Sequence, residues 1–338
     1  MIWNNRRRRR HRCPKKAIKC DWNFWWTYDG ISGPEFWGIL NPDWFLCNKG
    51  HRQSPIDIKP GLLLYDPNLK SIFINKNRVN GYIENDGHSV VFHSHYYSYN
   101  NQSDITTTTN NNNNNNDNLI PPPVTINGGP LSYSYIFHSL HIHFGLVDSY
   151  GSEHLISGFQ FPGEIQLIGY NSDLYENYEE ASTKPNGLVG IAIFLKQESK
   201  SSAGIEILTS QLNHIVYRGQ KTAIKSLSLR ELLPDDQNYV TYDGSLTTPS
   251  CDEVVTWIVI NKPLSITKEQ LQSLRFLMQG SIDVPKAPLG NNFRPTQSIN
   301  DRVIRTNIEF KQSSKDRNCP TMKQNVQYEI NQKLWNVR

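Results

Sequence analysis

The chain has 338 residues, 37% of them hydrophobic and 20% charged, with a formal net charge of +4. That size and balance suit a globular protein with a large core and exclude an intrinsically disordered chain. No apolar run approaches the roughly 18–20 residues that a membrane-crossing helix needs.

Taken from the start, residues 1–20 form a basic tail dominated by Arg6–Arg12. It reads as a solvated arm, because no basic stripe with interleaved aromatics and no nucleic-acid motif follows, so no nucleic-acid partner is expected. The tail lacks the apolar stretch of a secretory signal peptide, and a start at Met1 implies a cytoplasmic chain. The five cysteines, Cys13, Cys20, Cys47, Cys251 and Cys319, are odd in number, so at least one is unpaired within the chain. Spacing alone assigns no pairing.

Residues 21–312 read as one domain without internal repeats, followed by a polar tail over 313–338. An insertion interrupts the domain at 100–123, a Thr, Asn and Pro run too polar to repay its ordering by burial. It carries the sequon Asn101-Gln102-Ser103, which makes Asn101 a glycosylation site in a secreted chain. Next comes His141-Ile142-His143. Residues two apart on a strand share a face, so two imidazoles here can grip one metal ion. A catalytic zinc needs a third protein ligand and an open position for water. Glu164–Tyr170 alternates, with Glu164, Gln166 and Ile168 on one face and Ile165 and Leu167 on the other. Leu188–Leu195 and Val254–Ile260 are β-branched apolar runs typical of central strands. Helices are few: Gly204–Val216, and Lys268–Gln279 with a capping box from Thr267 and Gln270 and a stop at Gly280.

Four stretches occur in a telling order: Trp26–Gly38, Gly50–Ile58, His141–His154 and Tyr242–Trp257. Together they resemble an α-carbonic anhydrase domain across nearly the whole chain. The resemblance implies a mainly β fold with a few short helices, built on a large, twisted, mostly antiparallel central sheet. It implies a zinc pocket whose first two ligands are His141 and His143. Glu153 and Thr247 match the acid–hydroxyl pair that orients zinc-bound hydroxide, and His88 matches the proton shuttle. Leu246 and Trp257 line the pocket, and Glu164 matches the carboxylate that holds the third zinc histidine. Gln166 occupies that third position, Gly169 and Tyr170 replace a histidine and a tryptophan, and Gly190 replaces a valine of the pocket wall.

These changes resemble the carbonic anhydrase-related proteins of the secreted branch numbered ten and eleven. That branch implies a catalytically silent module that binds neuronal cell-surface proteins of the neurexin kind. His141 departs from the branch, which usually loses its first zinc histidine. Cys47 and Cys251 match a disulfide of extracellular family members, which places the chain in an oxidising compartment. A glutamine carbonyl is a poor substitute for imidazole at zinc. Weak or absent zinc is therefore expected, and a His141/His143/Gln166 zinc hydratase of reduced activity is the alternative.

Overall fold

A computed structural model describes residues 25–95, 122–234 and 238–309. The insertion's Asn101, the thiols Cys13, Cys20 and Cys319 and both tails lie outside the described residues. In chain order the strands are β1 (Asp57–Ile58), β2 (Leu64–Tyr65), β3 (Ile72–Ile74), β4 (Val79–Asn85), β5 (Val90–Ser94), β6 (Thr125–Gly128) and β7 (Tyr135–Phe144). There follow β8 (Leu155–Ile156), β9 (Gly163–Asn171), β10 (Leu188–Gln197), β11 (Lys221–Leu227), β12 (Tyr239–Gly244), β13 (Val255–Ile266) and β14 (Arg305–Thr306). Twelve of them form one sheet in the order β11-β4-β5-β7-β9-β10-β13-β12-β14-β2, with β6 joining β3 to β7. Its pairings are mostly antiparallel, with parallel contacts at β10–β13 and β14–β2.

Strand alternation divides the interior in two. On one face Leu140, Ile142, Ile165, Leu167, Ile191 and Ile193 join a large apolar cluster. On the other, Ile168, Tyr170, Ala192, Phe194 and Trp257 form a second. His141, His143, Glu164 and Gln166 alternate with the first set, so they emerge on the second face. Every residue of β9 is buried, as a strand covered on both sides must be.

Helices α1 (Trp37–Leu40), α2 (Leu46–Lys49), α3 (Tyr178–Ala181), α4 (Ala203–Thr209) and α5 (Lys268–Arg275) are short. The expected helix over Gly204–Val216 divides into α4 and a 3-10 turn at Leu212–His214. Thr209 and Ser210 hydroxyls donate back to the Ile205 and Ile207 carbonyls where α4 ends, the kind of side-chain competition that weakens a helix. The α5 capping box forms as expected, but the helix stops at Arg275 rather than Gln279. Beyond it, Met278 and Gln279 donate their N–H groups to Val216 and Ala287, so tertiary partners replace the helical ones. A disulfide joins Cys47 of α2 to Cys251, in the loop between β12 and β13.

Candidate functional site

Strands β7 and β9 bring the central residues together. In their register His141 faces Gln166, and His143 faces Glu164. His143 Nδ1 lies 2.6 Å from the Asn292 carbonyl, so it donates there and leaves Nε2 as its remaining nitrogen. His141 is turned so that its Nε2 meets Ser139 Oγ at 3.0 Å. Burial, and then the neighbouring imidazoles of His143, His93 and His138, hold the His141 pKa well below its usual range.

Gln166 is committed to carboxylates. Its Nε2 donates to Glu153 Oε2 at 2.7 Å and to Glu164 Oε1 at 3.0 Å. Both acids are fully buried. Unpartnered, either would carry a large desolvation cost. Glu164 also accepts from His154 Nδ1 at 2.8 Å and from the backbone N–H groups of Glu153 and His154. Burial works against its ionised form, but the His154 charge and these hydrogen bonds prevail and lower its pKa. Tyr242 Oη lies 2.7 Å from His154 Nε2 and passes the network on to Ser54 Oγ at 3.0 Å. Glu153 Oε1 accepts the Arg294 N–H at 2.8 Å. The buried guanidinium of Arg294 is anchored in turn on Gln53, Ser54 and Cys47.

Thr247 is buried, but no hydrogen bond joins it to Glu153 among the described residues. The Glu153 oxygens are satisfied by Gln166 and by the Arg294 backbone instead. Leu246 packs against the cluster that contains Trp257, and Trp257 Nε1 donates to the Ser245 carbonyl. Trp257 is also the parallel partner of Gly190. A Cβ on Gly190 would lie 2.7 Å from the indole, so the missing side chain makes room for that ring.

His88 stands apart from the central group, in the turn between β4 and β5. Asp86 Oδ1 accepts the N–H groups of His88 and Ser89. Gly87 has φ +89 and leaves no space for a Cβ against Arg218 and the Gln279 carbonyl. The His88 ring stacks on Trp26 with centroids 4.0 Å apart. Burial, then the Arg218 and Lys286 charges, bring its pKa down to about 4, so it is neutral at pH 7.

Sequence reading missed the partners Ser139, His154, Tyr242, Asn292 and Arg294. His154 and Tyr242 sit inside the motifs that carry the resemblance, but their contacts cross the chain and leave no local signal.

The donor set suits zinc poorly. Of the two histidine nitrogens that could turn inward, His141 Nε2 is on a serine, and the amide offers only a neutral oxygen. No group of three or more His, Cys, Asp or Glu placed to hold a metal occurs among the described residues.

The family model for eukaryotic-type carbonic anhydrase matches residues 32–105 and 94–308. The chain belongs to that family. Among its relatives is carbonic anhydrase-like protein 2 of Caenorhabditis elegans, 37% identical over 300 residues, which cover 87% of this chain and 83% of the relative. Carbonic anhydrase-like protein 1 of the same organism is 32% identical over 352 residues, covering 88% and 94%. This carbonic anhydrase-related protein thus carries the family's large, mostly β fold with few short helices. No helix among the described residues is long and apolar enough to cross a membrane.

Proposed function

We propose that this carbonic anhydrase-related protein is catalytically silent and serves as a secreted protein-binding module at the cell surface. The observation that carries the silence is Gln166, which spends both amide protons on Glu153 and Glu164 where a metal site needs an imidazole lone pair. Carbonic anhydrase with three histidines is the general illustration of zinc lowering the pKa of bound water to about 7. Without that charge, hydroxide is scarce at neutral pH. The Cys47–Cys251 disulfide favours an oxidising compartment. Residues 25–45 expose Trp25, Ile31, Phe36, Ile39 and Phe45, apolar surface suited to a protein partner, by resemblance a neurexin-like receptor.

Zinc content by elemental analysis, with carbon dioxide hydration on the same sample, tests this reading. Substoichiometric zinc and no hydration are expected. Stoichiometric zinc with activity abolished by His143→Ala would establish a zinc hydratase instead. Gln166→His restores the third imidazole and should raise zinc affinity about 10–100-fold. Unchanged affinity would mean that Gln166 is not the lesion.

A further inference from the structure

Among the described residues the large sheet leaves edges free at β11, at β2 and at β3. A free edge is a template for another strand, and folded proteins blunt such edges with lysines, bulges or a covering element. β11 carries the exposed Lys221 and Lys225, and a bulge between Ile224 and Leu227 where Ser226 has φ 60. β3 exposes Phe73, but between Lys70 and Lys76, which are also exposed.

No charge blunts β2. Its two residues, Leu64 and Tyr65, are both exposed. Leu62, which ends the turn leading into the strand, and Val303 are 64% and 62% exposed. Val303 directly precedes Ile304, whose carbonyl accepts the Leu64 N–H at 2.9 Å, so these apolar side chains adjoin one another. Single exposed apolar residues are ordinary, whereas a group of them along a free edge marks a contact surface. The backbone is ready as well. Leu64 and Asp66 donate their N–H groups inward to Ile304 and Thr306. Tyr65, between them, therefore turns its N–H and carbonyl to the side where no further strand pairs.

Length and charge select the occupant. The Pro60–Leu62 turn and Pro67 confine pairing to a few residues, too few for the run of main-chain bonds that holds an extended peptide. An equally short edge with its own apolar neighbours is a better match. A two-fold axis sets each surface against itself, so an edge with net charge repels its copy. Over 59–66 and 301–309, the segments of this edge, Lys59, Arg302 and Arg305 balance Asp66, Asp301 and Glu309. Asp66 and Arg305 also pair directly at 3.1 Å. Over 70–76 and 221–227 the only charges are lysines, two in each, so neither of those edges suits a copy of itself.

We propose that β2 pairs antiparallel with β2 of a second copy of this chain, joining two sheets into one across a two-fold axis. The two Tyr65 residues exchange N–H···O bonds, and Leu62, Leu64 and Val303 of each copy cover those of the other. This surface is separate from the silent centre and from the apolar segment 25–45.

Analytical ultracentrifugation of the full chain from about 1 to 300 µM tests the proposal, a span around the micromolar dissociation constant that so small an interface implies. The mass should rise from one chain toward two. Leu64→Lys, at an exposed position, should raise the dissociation constant at least about tenfold. Phe73→Lys, the same kind of change on the β3 edge, should leave it unaltered. Tyr65→Cys would set two thiols across the axis on Cα atoms about 5.5 Å apart, within disulfide reach. Mild oxidation should then yield a peptide cross-linked to itself through that position in non-reducing mass spectrometry. A single-chain mass throughout the range would overturn the proposal. So would a dimer that Leu64→Lys leaves intact, equal weakening by the two lysine variants, or a dimer of the Tyr65→Cys protein without the cross-link. The wild-type mass series decides whether the chain associates even if a variant misfolds, which circular dichroism checks.

Discussion

Replacing Gln166 with leucine isolates what the amide does. The side chains are similar in size, so the change removes two donors without leaving a large cavity. Gln166 is 3% exposed, and its partners Glu153 and Glu164 are fully buried. Hydrogen bonds to charged groups contribute about 1.5–3 kcal/mol each. Two independent losses would thus cost about 3–6 kcal/mol. The two acids do not suffer equally. Glu164 keeps three other donors, the His154 ring and two backbone N–H groups, so its share lies near the low end. Glu153 Oε2 keeps none of comparable quality, and its share lies near the high end. The expected total is about 3–5 kcal/mol, read as a lower urea midpoint at pH 7 with an unchanged slope. A Glu153→Gln background should recover the Glu153 part of that cost, giving a coupling of at least 1 kcal/mol or so. A loss below about 1 kcal/mol, or additivity of the two substitutions, would refute the bridging role of the amide.

Gly190→Val adds a side chain whose Cβ would press on the Trp257 indole at 2.7 Å. A loss of about 1–3 kcal/mol by chemical denaturation is expected, and no loss would show that the indole can yield. Removing the disulfide with Cys47→Ala and Cys251→Ala frees a loop of 204 residues in the unfolded chain. The cost should be about 2–5 kcal/mol by the same assay, and an unchanged midpoint would contradict it. Burial and neighbouring cations hold His88 and His93 down to about 4, and burial with His93 holds His138 to about 3, from an ordinary 6.5. Between pH 6.5 and 4 the unfolded chain therefore binds more protons than the folded one, and stability falls as pH falls. The full effect is about 3 kcal/mol for an imidazole kept neutral to pH 4, less where water reaches the ring. Urea midpoints that stay flat across that window would refute it.

The sheet was legible because its strands carry strong patterns. Leu140 and Ile142 alternate with His141 and His143, and Ile165 and Leu167 with Glu164 and Gln166, so faces follow from sequence alone. The α5 start was legible for a similar reason, since the Thr267–Gln270 box is local. Its end was not, because Met278 is captured by Val216 far back in the chain and Gln279 by Ala287 in the loop that follows. The site divides in the same way. That Gln166 shares a face with Glu164 is a matter of alternation. That its amide bridges Glu164 and Glu153, leaving Thr247 without its expected partner, depends on packing between separate elements.

The same packing explains why a glutamine suits this position. Two carboxylates buried in low dielectric each need donors to offset their lost hydration. Here each buried carboxylate finds other donors. Glu164 has the His154 ring, two backbone N–H groups and the Gln166 amide. Glu153 has the Arg294 backbone and the same amide. Glutamine suits the place because one nitrogen carries two protons, enough to serve both acids, where a neutral imidazole carries one. A leucine would leave that demand unmet, and a glutamate would add a third acid to it. The amide that meets the demand of both acids is therefore the side chain that keeps this buried site folded.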